Sequence, residues 1–260
     1  MAGMNLKRIE ILGVPVDCVT IQEAVDVAEQ IVEGRHPAGY ILAVNPEKVM
    51  AASSQPAVLA QLRSAALLIP DGVGIVIAAR LFGLARLSRV PGAELMPRLC
   101  EMAARKGYPI FLYGARPDIV QEAALVLQRD IPGLRVAGTQ HGYAPEEEMP
   151  ALVERINASG AKLLFVAMGS PRQENWIARH FTKLTAVRVC QGVGGTFDVL
   201  SGRVARAPRA MQMLGLEWLY RFLKQPSRFP REVNRFRFGL RVVGRWLVTL
   251  LLRRRPVNNR

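Results

Sequence analysis

Short apolar runs that close on a polar or glycine-bearing turn and then give way to an amphipathic helix recur through the first 200 residues. This alternation constrains the fold more than any other feature of the chain. Parallel strands cannot be joined by a tight turn and need a long crossover, which a helix after each strand supplies while covering the sheet. Ile9 to Val19, with Gly13 and Pro15 among alternating Val and Ile, reads as a strand pair around a tight turn. Thr20-Ile21-Gln22-Glu23 is a capping box that opens a helix to about Glu33. Tyr40 to Val44, Ala66 to Ile69, Pro109 to Tyr113, Leu134 to Thr139, Lys162 to Met168 and Val187 to Gln191 read as strands. Between them, Pro46 to Ser64 is mostly helix and Gly74 to Phe82 a further one. Arg89 to Glu94 opens a helix that runs to Arg105, and others cover Ile119 to Asp130, Pro145 to Ala158 and Gln173 to Phe181. The expected fold is α/β: a Rossmann-like, mostly parallel sheet with helices on both faces, occupying residues 1–200.

Residues 201–260 differ in character. From Ser201 on there are fourteen Arg and one Lys against only Glu217 and Glu232, so nearly all of the chain's net charge of +14 resides there and the preceding body is close to neutral. The arginines are interleaved with Trp218, Tyr220, Phe222, Phe229, Phe236, Phe238 and Trp246. Two anionic partners fit such a segment, nucleic acid and an anionic membrane surface. On a helix, Val233, Phe236, Leu240, Val243, Leu247 and Leu250 or Leu251 line one face, and Arg231, Arg235, Arg237, Arg241 and Arg245 fall elsewhere on the wheel. That pattern favours a helix lying in a bilayer interface, although Phe238 and Val242 interrupt its polar face. The alternative is a basic helix packed on its own body or on a second subunit. Spanning is excluded, because the longest uncharged run, Trp246 to Leu252, is far short of the roughly twenty residues required. The expectation is a basic, amphipathic, helical C-terminal appendage that associates with membrane and does not bind nucleic acid. Off the membrane its apolar stripe needs cover, from self-association into a homo-oligomer or from the body itself.

The N-terminal residues around Lys7, Arg8 and Glu10 lack the apolar core of a signal peptide, which points to the cytoplasmic side. Cys18, Cys100 and Cys190 are odd in number and far apart, and His36, His141 and His180 are isolated, so neither a disulfide framework nor a metal site is indicated.

In parallel α/β folds ligands bind beyond the carboxyl ends of the strands. Read in order, those ends carry Asn45, Asp71, Gly114, His141-Gly142-Tyr143, Gly169 to Glu174 and Gly192 to Asp198. Glycines there let backbone amides approach a phosphate, and the following helix N-termini favour negative charge. Tyr113-Gly114-Ala115-Arg116 lacks a complete GxGxxG and no GxxxxGK[ST] is present, so a nicotinamide-dependent oxidoreductase would rest on the fold alone. Asp71, before Gly72, either caps the next helix or, beside Asn45 on a neighbouring strand end, accepts a proton from a hydroxyl nucleophile.

Pro70-Asp71-Gly72, Arg89 to Glu94, Ala167 to Glu174, Gly192 to Asp198, and Arg206-Ala207-Pro208 through Gly215 to Arg221 resemble, in order, the motifs of the WecG/TagA/CpsF glycosyltransferases. The resemblance runs from about Ile9 to Arg235. It implies transfer of a sugar from a UDP donor to an undecaprenyl-diphosphate-linked saccharide, with inversion, without a metal or other cofactor, in the synthesis of cell-surface polysaccharide. By the same resemblance Asp71 matches the general base. Asn45 and Arg89 match donor-pocket residues, Gln173 a residue near the sugar and diphosphate, and Tyr143 and Asp198 positions that meet the uracil. Arg221, Arg228 and Arg231 match arginines of the appendage that complete the active site, and at their spacing they share one helical face. Ala43 stands where the teichoic-acid branch has Thr, and the Ala-x-Asn pattern looks more like the WecG branch, which uses N-acetylmannosaminuronic acid. N-acetylmannosamine and glucose remain open as donor sugars.

Overall fold

The computed structural model describes residues 6–205, 207–208, 210–211, 217–224 and 229–253. Its centre is a sheet of six strands, β3 (Gly39–Val44), β4 (Leu67–Pro70), β5 (Ile110–Gly114), β6 (Val136–Gln140), β7 (Leu163–Ala167) and β8 (Val189–Gly192), in the order β4-β3-β8-β7-β5-β6. Every pairing in it is parallel. The strands are continuous apolar runs because both faces are buried, and their residues divide alternately between two cores. Leu42, Leu68, Phe111, Tyr113, Leu164 and Val166 face one core. Ile41, Leu67, Ile110, Leu112, Leu163 and Phe165 face the other.

On the second face lie α1 (Ile21–Val32), α5 (Gly92–Lys106) and α6 (Pro117–Asp130). The first face carries α2 (Pro46–Ser54), α3 (Pro56–Arg63), α4 (Val73–Leu81), α7 (Met149–Ala158) and α8 (Arg172–His180). The helix expected from Pro46 to Ser64 is two helices, since Gln55 precedes Pro56 and takes the extended conformation that a following proline imposes, φ −129° and ψ 98°. The capping box at Thr20 forms as expected: Glu23 N donates to Thr20 Oγ1 at 3.2 Å and Thr20 N donates to Glu23 Oε2 at 2.7 Å. The first strand pair, β1 (Arg8–Ile11) and β2 (Val14–Asp17), is an antiparallel hairpin outside the main sheet. Buried Asp17 anchors it by accepting Arg8 Nε at 2.6 Å and the β4 amide of Leu68 at 2.7 Å.

After the short α9 (Thr196–Leu200), the C-terminal segment contributes α10 (Glu217–Lys224) and the long α11 (Phe229–Arg253). Phe238 and Val242, which interrupt the polar face of the expected amphipathic helix, are 4% exposed and join the first core. They serve as a second, narrower apolar edge that docks α11 against α2 and α4. The expected stripe lies elsewhere on the helix and stays open, with Phe236, Leu240, Val243, Leu247 and Leu251 all exposed. Among the described residues, therefore, the body does not cover it. Among the described residues no helix is long and apolar enough to cross a membrane.

Phe238→Ala removes the largest side chain that α11 places in the core and is expected to lower stability by about 3 kcal/mol. Amide hydrogen exchange provides the readout: protection falls across residues 229–253 while β5, β7 and β8 keep theirs. Unchanged protection in α11 would contradict the docking role of Phe238.

Candidate active site

Because the sheet is parallel, all its strands release their chains at one edge, and a cavity of about 1020 Å³ lies across that edge. Asn45, Asp71, Arg89, Tyr143, Gln173 and Asp198, drawn from separate strand ends and loops, all line it. Helices α2, α4, α5, α6, α8 and α9 each begin at its wall, at Pro46, Val73, Gly92, Arg116-Pro117, Arg172 and Thr196. The partial positive charge of these helix N-termini suits an anion.

Asp71 follows β4, and its amide donates to Val44 O of β3 at 2.8 Å, which sets it beside Asn45. The N-cap of α4 is Gly72, at φ 98°, which puts Asp71 one residue before that helix's N-terminus. Val90 N donates to Pro70 O at 2.8 Å and so holds the Arg89 loop against the end of β4. Arg89 in turn lies 3.6 Å from Glu94 across their charged atoms. Asn45 caps α2, its side-chain oxygen accepting Lys48 N at 2.9 Å.

At the far end of the edge, after β5 and β6, stand Tyr143, 65% exposed, and Asp198 on α9. Arg116 donates to Asp118 at 2.6 Å and Arg203 reaches the same oxygen at 3.1 Å. The hydrogen bond from Arg116 holds the Asp118 carboxyl down to about 2. Arg116 and Arg203 both line the cavity, a pair that single-position reading of the sequence does not reveal.

Between the two ends, Gln173 is a pin. Its Oε1 accepts Gly194 N at 2.9 Å and its Nε2 donates to Glu174 Oε1 at 3.1 Å. Gly192 leaves room for this pin, since a Cβ there would meet Gln173 Nε2 at 2.7 Å and displace it. Glu174 Oε1 also meets Lys48 Nζ at 2.7 Å, with both side chains buried. Burial alone would push the Glu174 carboxyl up, but the Lys48 charge and its hydrogen bond outweigh that and hold it below its ordinary value. The relay Asn45, Lys48, Glu174, Gln173, Gly194 thus ties together the loops after β3, β7 and β8, which are neighbours in the sheet. Glu174 belongs to a motif visible in the sequence, but Lys48 gave no signal beyond its place one turn after Asn45.

The appendage closes one side of the cavity with Glu217 and Trp218 of α10 and Glu232, Arg235 and Phe238 of α11. Arg235 and Arg241 tie it to the body: Arg235 donates to Glu47 of α2 at 2.8 Å and to Glu232 at 2.6 Å, with its guanidinium 5.4 Å from the Trp218 ring centre, and Arg241 donates to Ser53 Oγ of α2 at 2.8 Å. Of the three arginines expected to complete the site, Arg221 lies on α10 and Arg231 on α11. Their side chains, and all of Arg228, lie outside the described residues, as does the shared face expected for them.

A parallel α/β sheet whose strand ends, glycine loops and helix N-termini surround one large cavity defines a ligand-binding α/β protein of the doubly wound class. The sequence profile of the glycosyl transferase WecG/TagA/CpsF family matches residues 9–250, and the chain belongs to that family. It is a glycosyltransferase of cell-surface polysaccharide synthesis, a reaction that takes a sugar donor and a lipid-linked acceptor.

Glu174→Ala leaves the Lys48 ammonium buried without its counter-charge and frees Gln173 from one of its two anchors. A loss of about 3 kcal/mol in urea unfolding is expected. A change below about 0.5 kcal/mol would show that the pair carries no structural weight.

Proposed function

We propose that the chain is an inverting, metal-independent glycosyltransferase that moves a sugar from a UDP donor to a polyprenyl-diphosphate-linked saccharide at the cytoplasmic face of the membrane. The observation that carries this reading is the single cavity that gathers Asn45, Asp71, Arg89, Tyr143, Gln173 and Asp198 along the carboxyl edge of the sheet. The order of strand ends arranges the donor along it. Uracil sits against Tyr143 and Asp198, the diphosphate lies over the glycine loops that follow β7 and β8, and the sugar lies at Asn45, Arg89 and Asp71. The acceptor hydroxyl gives its proton to the Asp71 carboxylate while its oxygen bonds to the anomeric carbon. The bond from that carbon to the UDP oxygen breaks in the same displacement, which inverts the centre. Charge then develops on the departing diphosphate, where amides at the helix N-termini and arginines stabilise it. Arg221, Arg228 and Arg231 take that role from the appendage, which we read as residues 201–260 beside a body of residues 1–200. The donor sugar in this reading is N-acetylmannosaminuronic acid, since Ala43, rather than a hydroxyl side chain, faces the cavity two residues before Asn45. N-acetylmannosamine and glucose are the alternatives that a panel of UDP-sugars separates.

The exposed stripe of α11 supports peripheral membrane association, its apolar side chains entering the acyl boundary with arginines among the headgroups. Arg241 and Arg245 are both exposed, and each adds about 1 kcal/mol of attraction to an anionic surface. Reversing both charges is expected to weaken sedimentation with anionic vesicles while turnover on a short-chain, water-soluble acceptor stays within about twofold. Equal loss of both activities would tie these arginines to the site itself.

Asp71→Asn is nearly isosteric and is expected to lower turnover by about 10²-fold or more, with UDP affinity by isothermal titration almost unchanged and no effect of EDTA on the parent rate. Turnover within a few-fold of the parent would remove Asp71 from the role of base.

A further inference from the structure

Helix α4 starts two residues after Asp71 and carries Val73, Ile77 and Leu81 at steps of four, which places them along one face. All three line the cavity. Opposite them α11 presents Gly239 and Val243 above Phe238, so at this end the cavity becomes a slot with apolar walls. Ile77 is 50% exposed, Leu81 36% and Val243 46%, unusual values for apolar side chains that a closed core would have covered. The floor is tight, for a Cβ on Gly74 would lie 3.0 Å from Pro46 Cγ and 3.5 Å from Phe238 Cε1. The wall is open, for a Cβ on Gly239 would meet nothing within 4 Å. One end of the slot is the Asp71 end of the cavity. From the other, the exposed face of α11 continues outward through Leu247 and Leu251.

We propose that this slot between α4 and α11 holds the first isoprene units of the acceptor's lipid chain, threading them from the exposed stripe of α11 toward Asp71. The inference rests on the reading of the acceptor as polyprenyl-diphosphate-linked. A flat bilayer can cover the outer face of α11 but cannot reach the wall formed by Val73 and Ile77, which belongs to a concave cavity. A single flexible hydrocarbon chain can do so, and it buries on entry the apolar surface that the two helices leave open. Threading the chain this way delivers the diphosphate and its saccharide to the general base and fixes which end of the lipid enters.

The test is the affinity of the full chain for isoprenyl diphosphates of increasing length, followed by tryptophan fluorescence below their critical micelle concentrations. Farnesyl diphosphate is expected to bind at least about tenfold more tightly than dimethylallyl diphosphate, because its added isoprene units are buried. Gly239→Phe fills the open wall and Ile77→Glu places a charge in it. Each is expected to abolish the gain with chain length while leaving the melting temperature unchanged and UDP affinity within about twofold. Equal affinity for the two diphosphates overturns the proposal, as does a gain that survives both substitutions. A gain that depends on the slot, in a chain that transfers no sugar to a polyprenyl-linked saccharide, would leave the slot standing and remove the acceptor reading instead.

Discussion

The parallel sense of every pairing in the central sheet is the constraint on which the rest depends. Parallel strands leave by the same edge, so residues far apart in sequence, such as Asn45, Asp71, Tyr143 and Gln173, are brought to one cavity by topology rather than by contacts of their own. The crossover helices that parallel pairing requires begin at that edge as well, and their N-termini turn the cavity toward anions. The sheet makes the place, and the loops then need only be held in register. The buried relay from Asn45 through Lys48, Glu174 and Gln173 to Gly194 does that holding across three adjacent strands.

The second determinant is the seam between body and appendage. Phe238 and Val242 bury themselves against α2 and α4, while Arg235 bridges Glu47, Glu232 and Trp218 at the cavity wall. Apolar burial supplies the attraction, and the charged contacts set the rotation of α11, leaving its broad apolar stripe outward. Two apolar faces on one helix thereby serve different ends, the narrow one inward to complete a cavity and the wide one outward toward a surface.

Much of this was legible in the sequence, and for identifiable reasons. Strands such as Leu163–Ala167 are buried on both faces and read as unbroken apolar runs, and the Thr20 capping box is a local pattern that forms locally. The strand-end residues were recognisable because their position, not their partners, marks them. Partners were what the sequence withheld. Lys48 looked like any helix lysine until Glu174, more than a hundred residues on, was seen to face it, and Arg116 and Arg203 are joined only through Asp118. Phe238 and Val242 looked like flaws in an amphipathic pattern because a helical wheel shows one helix alone and not the groove between α2 and α4 that receives it. The break at Gln55-Pro56 was a milder case, a proline rule outweighed by otherwise helical residues.

In the proposed function one nucleotide-sugar lies along the carboxyl edge of the sheet with its reacting carbon at Asp71. A crystal structure of the chain with UDP tests this most directly. The expected result is uracil against Tyr143 and Asp198, at the β5 and β6 end, and the diphosphate over Gly169 and the loop from Gly192 to Gly195. Uracil seated instead at the Asn45 and Asp71 end, or a nucleotide bound outside the cavity, would contradict it.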